Sequence, residues 1–165
     1  MTHHMGRHAL LATLFTAMLR LRQGAVPEAR AAAEEARRMA VGGGWRRHDA
    51  MAQRLLGQCA LARGDYGEAE GYLRAALVLQ IKDGARLEAA RTRLALAQMY
   101  ARATPWGGGG AANDTPVLAL ELLTEARTSF VASRAALDVA AADAIAQDWR
   151  SRSQQELSPA GVPDS

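Results

Sequence analysis

The sequence is poor in cysteine, in aromatic residues and in long apolar stretches. Its single cysteine, Cys59, excludes an internal disulfide and fits a reducing cytoplasm. Aromatic residues make up only 5% of the chain, and no apolar run approaches the about 20 residues that a transmembrane helix needs. Apolar and polar residues nowhere alternate with a period of two, which argues against a β-sheet. We therefore expect a cytoplasmic protein with no membrane partner.

Alanine, by contrast, is abundant and supplies 37 of the 165 residues. It has the highest helix propensity and lets neighbouring helix axes approach closely. Glycine and proline interrupt the apolar periodicity at regular intervals and so divide the chain into helices. The sequence predicts an all-α fold with helices over 8–22, 27–40, 48–63, 66–82, 85–103, 116–131 and 134–151.

Three segments are predicted to lie outside the helical domain, which spans 8–152. Residues 1–7 are expected to form a flexible leader. The four consecutive glycines at 107–110 predict a flexible insertion over 104–115, because glycine is costly to hold in one conformation. Proline, serine and charged residues predict a disordered tail over 153–165.

The last predicted helix is expected to cap the domain. Ser133 is a candidate N-cap, since a serine hydroxyl can accept a hydrogen bond from a free backbone N–H of the first turn. Where helices pack one on another in a row, the outer side of the last helix must be polar for the protein to be soluble. The sequence predicts a packing side with Leu137, Ala141, Ala144 and Ile145, and a solvent side with Asp138, Asp143 and Gln147.

The charge pattern and the histidines argue against several functions. The net charge is +3, but 20 basic and 17 acidic residues alternate along the helices, so there is no dense cationic stripe for nucleic acid. His3, His4 and His8 have no cysteine or carboxylate beside them to complete a zinc site. The glycine run lacks the Lys-Ser/Thr pair of a phosphate-binding loop. We expect no metal, no cofactor, no nucleic-acid partner and no enzymatic activity.

A motif near the second helix recurs forty residues later. Gly24–Arg37 reads GAVPEARAAAEEAR and Gly64–Leu77 reads GDYGEAEGYLRAAL, so glycine, glutamate and alanine return at the same offsets. The period therefore predicts stacked helical hairpins over 8–40, 48–82 and 85–131. Small residues keep the same spacing, with ten extra residues across the insertion: Ala17, Gly57 and Ala97; Ala29, Ala69 and Ala119; Ala36, Ala76 and Ala126.

This pattern resembles the tetratricopeptide repeat, a family of two-helix units with small residues at three fixed points and a turn between the helices. In the clearest repeat those points are Gly57, Ala69 and Ala76, with the turn at Gly64. The period of 40 is longer than the family's usual period of about 34, as in the helical arrays of bacterial signalling proteins. The family's late proline is absent, and Thr16 and Arg20 replace its usual apolar and aromatic residues. The resemblance implies a right-handed superhelical solenoid.

The resemblance also implies a binding groove, because the first helices of successive hairpins line a concave surface in that family. Three of the matching positions are arginine, which implies charge-assisted hydrogen bonds to an acidic peptide or a carboxyl terminus. The groove positions carried over to this chain are Leu14, Met18, Met51, Arg54, Gln58, Arg91, Leu94, Gln98 and Arg102.

The sequence thus predicts a non-catalytic adaptor or scaffold that binds a partner protein or peptide. The alternative is a sensor or oligomerisation segment of a larger bacterial ATPase, kinase or transcription regulator. The apolar first helix supports the alternative, since Leu10, Leu14 and Phe15 offer a docking surface for a missing repeat or for a second copy, which would form a homo-oligomer.

Overall fold

The computed structural model describes residues 2–103 and 115–157, and every helix predicted from the sequence is present there. This described part contains no strand, which confirms the all-α prediction. None of its helices combines the length and the apolar character that crossing a bilayer requires. The helices are α1 (Thr2–Arg22), α2 (Val26–Gly42), α3 (Arg46–Ala62), α4 (Tyr66–Lys82), α5 (Arg86–Ala103), α6 (Thr115–Ala132) and α7 (Ala136–Leu157).

Four turns use a glycine in the left-handed region of backbone space, where a Cβ atom is strained. They are Gly24, Gly44, Gly64 and Gly84, with φ between 64° and 77°. At the third turn, the N–H of Gly64 donates to the carbonyl of Leu61 at 3.1 Å. The N–H of Asp65 donates to the carbonyl of Ala60 at 3.0 Å, which completes a Schellman motif. Because these glycines recur every twenty residues, a hairpin of two helices and two turns takes forty.

The helices pack in chain order as two layers. Each helix contacts the next one along the chain, and the odd-numbered helices also contact one another in the series α1, α3, α5, α7. Among the described residues, the backbones of the even-numbered helices α2, α4 and α6 stay further apart, but side chains join α2 to α4, because both terminal nitrogens of Arg30 donate to the Glu68 carboxylate at 2.7 Å. The helices of the odd-numbered layer therefore approach one another more closely than those of the even-numbered layer.

Small residues at the predicted points let the two layers approach. All the recurring alanines are buried, including Ala69 and Ala76 of α4, which have no exposed surface. Gly57 of α3 is the most restrictive point: a Cβ atom added there would lie 2.7 Å from Cγ of Leu73 and 3.2 Å from the carbonyl oxygen of Ala69. The forty-residue spacing therefore marks the positions that set the distance between helix axes.

The structure corrects the predicted packing side of α7. Three of the four residues predicted to be buried are exposed: Leu137, Ala141 and Ala144. The residues that are buried instead are Ala142 and Trp149. They follow Thr92 and Met99 of α5, which are also buried, by fifty residues, the spacing of one repeat plus the insertion. The register of the repeat, rather than local apolar character, decides which side of α7 packs.

The ends of the helices also differ from the prediction. Ser133 is not an N-cap, because α7 begins at Ala136 and the Ser133 N–H still donates to the carbonyl of Ser129 in α6. Arg134 takes the place of the turn glycine, with φ of 54°. Helix α1 begins at Thr2, so residues predicted as a leader are helical, and α7 continues to residue 157. Residues 104–114 of the predicted insertion and 158–165 of the tail lie outside the described residues.

Candidate functional site

The candidate site lies on the odd-numbered helices, where α3, α5 and α7 meet. Helical spacing of three or four residues puts the predicted groove residues of each helix in one stripe. We call the combined surface the inner face. Its members are Met51, Arg54 and Gln58 of α3; Glu88, Arg91, Leu94, Gln98 and Arg102 of α5; and Asp138, Ile145, Asp148, Trp149 and Arg152 of α7.

One half of the inner face is occupied by a chain of four charged residues, which we call the ion ladder: Arg54, Glu88, Arg91 and Asp138. Nη2 of Arg54 donates to Oε2 of Glu88 at 2.5 Å, and Nη1 of Arg91 donates to Oε1 of the same carboxylate at 2.8 Å. Arg91 then uses Nε and Nη2 to bind both carboxylate oxygens of Asp138, at 3.0 and 2.9 Å. The ladder therefore ties α3, α5 and α7 together.

Burial makes the Arg54–Glu88 pair the one whose charges are most costly to leave unpaired. The Arg54 side chain is only 11% exposed, and burial lowers its pKa while the Glu88 carboxylate opposes that effect. Its buried Nε has no hydrogen-bond acceptor among the described residues. The hydrogen bonds to Asp138 raise the pKa of Arg91, which is more exposed. With Glu88 and Asp138 in place, neither arginine has a free charge to offer an incoming peptide.

The other half of the inner face is open. A cleft of about 230 Å³ separates the C-terminal half of α5 from α7. We call it the α5–α7 cleft; it is lined by Gln98, Ala101, Arg102, Ala144, Ile145, Asp148, Trp149 and Arg152. Arg152 is paired with Asp148 at 2.8 Å, whereas exposed Arg102 has no ion-pair partner in the described part of the chain. The cleft thus combines apolar side chains, an amide, the Arg152–Asp148 ion pair and, in Arg102, a cation that is unpaired among the described residues.

The remaining predicted groove residues lie in different environments. Leu14 is 1% exposed and packs in the core between α1, α2 and α3, so it is not accessible to a ligand. Met18 and Met51 are half-buried against the same core, and Leu94 is half-buried against the core of the later helices. Gln58 is half-buried on α3, four residues after Arg54. The accessible polar groups of the predicted set are therefore at the C-terminal ends of α3 and α5.

Sequence reasoning missed the carboxylates that neutralise the ladder. The sequence predicts that Asp138 faces water, but it is half-buried against Arg91. A signal was present: Glu88 and Asp138 are fifty residues apart, so they hold the same place in successive repeats. The aromatic and charged residues of α7 in the cleft were missed because the predicted packing side of α7 is wrong.

Comparison with models of known protein families gives no match for the chain, and no curated protein is detectably similar to it. Function is therefore inferred from the geometry of the inner face.

Proposed function

We propose that the protein is a non-catalytic interaction module, a three-hairpin solenoid of the tetratricopeptide type, and that it binds an extended peptide in the α5–α7 cleft. The observation that carries the proposal is the division of the inner face into an ion-paired half and an open half. The ladder satisfies its own charges, while the cleft next to it offers Arg102, which is unpaired among the described residues.

The chemistry of the cleft suits a peptide backbone. The Gln98 amide can donate and accept at once, as a backbone amide of an extended peptide requires. Half-buried Ile145 supplies apolar contact area of the kind that peptide pockets need, and Trp149, which is only 6% exposed, adds the small part of its ring that lines the cleft. Exposed Arg102 can bind a carboxylate through its planar fork, so the favoured peptide carries an acidic side chain or a free carboxyl terminus.

This assignment narrows the acidic-peptide hypothesis to one arginine. Arg54 and Arg91 are expected to act on binding indirectly, by holding α3, α5 and α7 at a fixed spacing. An acidic peptide that displaced Glu88 from Arg54 would leave that carboxylate with Arg91 alone, and losing one of its two ion pairs is costly at a partly buried site. Arg102 faces no such competition among the described residues.

The test starts from peptides selected against the full chain from a displayed random library, with affinity measured by titration calorimetry. Arg102→Glu should weaken binding about tenfold, because a charge-assisted hydrogen bond becomes a repulsion. Gln98→Ala should weaken it about threefold to fivefold, as expected for a neutral hydrogen bond. Binding should also weaken with salt.

The matched control is Lys82→Glu, the same change of charge at an exposed position of α4 on the other layer. It should leave the affinity unchanged. Peptides that bind the wild type, Arg102→Glu and Gln98→Ala proteins equally well would contradict the proposal, because they would use another surface.

A further inference from the structure

Helix α1 carries an uncovered face that its counterparts bury. Phe15 and Leu19 are 62% and 55% exposed, and Ala12 and Thr16 are exposed beside them. These four residues, spaced by three, one and three, form one stripe of the helix, opposite the stripe of Leu10 that packs in the core. We call this stripe the α1 end face.

The same stripe is buried in the two other hairpins. The residues forty positions later are Ala52, Leu55, Leu56 and Cys59, each at most 2% exposed. The residues eighty positions later are Thr92, Ala95, Leu96 and Met99, each at most 3% exposed. The stripe is therefore a packing surface in the second and third hairpins, and its counterpart in α1 has the same position in the repeat.

In the two other hairpins, the helix that covers the stripe presents a buried ridge of mostly small residues. The stripe of α3 shares a core with Ala33, Ala36 and Ala40 of α2, so α2 covers it. In the stripe of α5, the Thr92 hydroxyl donates to Oε1 of Gln80 at 2.7 Å, so α4 covers it. Each covering helix presents four buried residues spaced by four, three and four: Ala29, Ala33, Ala36 and Ala40 in α2, and Ala69, Leu73, Ala76 and Gln80 in α4. A ridge of mostly small residues is thus what fits the stripe, and the all-alanine ridge of α2 leaves the most room for a side chain as large as Phe15.

Charge selects among the helices that could cover the α1 end face. Helix α1 contains Arg7, Arg20 and Arg22 and no aspartate or glutamate. Exposed Arg20 holds the position of Tyr100, whose hydroxyl donates to Oε1 of Glu70 on the covering helix α4 at 2.6 Å. A carboxylate at that point would pair with Arg20. A second copy of α1 would instead bring three more arginines and no carboxylate to the interface.

We propose that the α1 end face docks an amphipathic helix of a partner protein that carries a small-residue ridge and a carboxylate opposite Arg20. The partner helix takes the place that α2 holds against α3. The surface is separate from the α5–α7 cleft, so the module can bind a peptide and a helix at different ends of the stack.

The probe is a synthetic peptide of residues 24–43, the chain's own covering helix, with Arg30→Glu. Position 30 corresponds to Glu70, so the substitution places a carboxylate near Arg20, with the native Glu34 one turn further along. Binding of this labelled peptide to the full chain is measured by fluorescence anisotropy. The double variant Phe15→Ser with Leu19→Ser should weaken binding about tenfold or more through lost apolar contact. Arg20→Glu should weaken it about fivefold, and the unmodified peptide with Arg30 should recover part of that loss.

Two control variants make the result specific. Leu137→Ser removes an even more exposed apolar residue, 89% exposed on α7, and should not change peptide binding. Arg102→Glu, in the α5–α7 cleft, should not change it either. Circular dichroism checks that each variant keeps its helix content.

Two results would overturn the proposal. One is peptide binding that is absent from the wild type or insensitive to Phe15, Leu19 and Arg20. The other is a dimer of the full chain in sedimentation velocity that Phe15→Ser with Leu19→Ser converts to monomer, since a second copy would then be the occupant.

Discussion

The junction between the first two hairpins and the junction between the second and third occupy equivalent positions but use different chemistry. In the first, Leu14 is buried, and His48 lies edge-on to the ring of Trp45 with centroids 6.5 Å apart. Forty residues later, the equivalents of Leu14 and His48 are Arg54 and Glu88, which form an ion pair. The comparison shows that the turns and small residues give both junctions the same backbone arrangement, while the side-chain contacts are apolar and aromatic in the first junction and ionic in the second.

The hairpins themselves differ in the same way. In the second, Gly57 of α3 faces Leu73 of α4 with no room for a methyl group. In the first, the equivalent residues are Ala17 and Ala33, both buried in one core. A smaller residue on the even-numbered helix of the first hairpin thus accompanies a larger one on the odd-numbered helix. The two changes offset each other only in part, because the Gly57–Leu73 pair still carries more side-chain volume than the Ala17–Ala33 pair.

The largest effect is expected where the two hairpins are identical. Ala36 and Ala76 are both fully buried, so changing either to leucine should cost about 3 kcal/mol of unfolding free energy by overpacking. Ala31→Leu and Ala75→Leu, at exposed positions of the same helices, should be close to neutral. Urea unfolding followed by circular dichroism gives the four values. A tolerant response at only one of the two buried positions would show that the hairpins do not share this contact.

The next largest effect is expected from breaking the Arg54–Glu88 ion pair, which the second junction has and the first does not. Glu88→Ala should cost about 2 kcal/mol, because it leaves Arg54 mostly buried without its partner. Adding Arg54→Leu, the residue of the first junction, should bring the stability back to within about 1 kcal/mol of the wild type, since an apolar side chain replaces the ion pair. If the double variant is as unstable as Glu88→Ala alone, the second junction needs its charges for more than pairing.

A smaller effect tests the exchange of volume between Gly57 and Leu73. Gly57→Ala should destabilise by about 1 kcal/mol despite the better helix propensity of alanine, because the new methyl group meets Leu73. In a Leu73→Ala background, which recreates the pair of the first hairpin, the same change should become stabilising.

Gly71 provides the control for this cycle. A Cβ atom at Gly71 of α4 meets nothing within 4 Å, so Gly71→Ala should stabilise by about 0.5 to 1 kcal/mol in either background. A loss of stability from Gly57→Ala that persists after Leu73 is shortened would mean that the backbone of α4, rather than Leu73, limits the contact.

The sequence was sufficient to predict the all-α class and the order of the helices, because the repeated residues have strong local conformational preferences. The glycines at the turns and the alanines at fixed spacing define helix ends and packing points without reference to the rest of the chain. Helix α7 shows the limit of this approach. Leu137 is exposed and Ala142 is buried, so the apolar content of α7 predicts the wrong packing side. Its register with α5 predicts the right one, because Ala142 lies fifty residues after buried Thr92.

The candidate site was less predictable for a related reason. Spacing along α3 and α5 predicts one stripe of residues on each helix, and in the structure Arg54 and Arg91 both pair with Glu88. It cannot say which charges of other helices meet them, since that depends on the distances between helices. The partner Asp138 comes from a helix beyond the insertion, 47 residues away in sequence. Pairing across such a distance follows from the fold and not from a local pattern.

The smallest effect is a pH dependence that belongs to the first junction. Burial lowers the pKa of His48, and the positive charge of Arg7 in α1 lowers it further. The unfolded chain therefore binds a proton at His48 more readily than the folded chain, and stability falls as pH drops from about 7.5 to about 5.5. The second junction has Glu88 at this position and so contributes no histidine to that loss. His48→Gln should reduce the loss by roughly 0.5 kcal/mol or less, since the imidazole is partly exposed. Urea unfolding at both pH values measures it, and Arg7→Gln should raise the pKa of His48 in an NMR titration. An equal loss of stability in the wild type and in His48→Gln would place the pH dependence elsewhere in the stack.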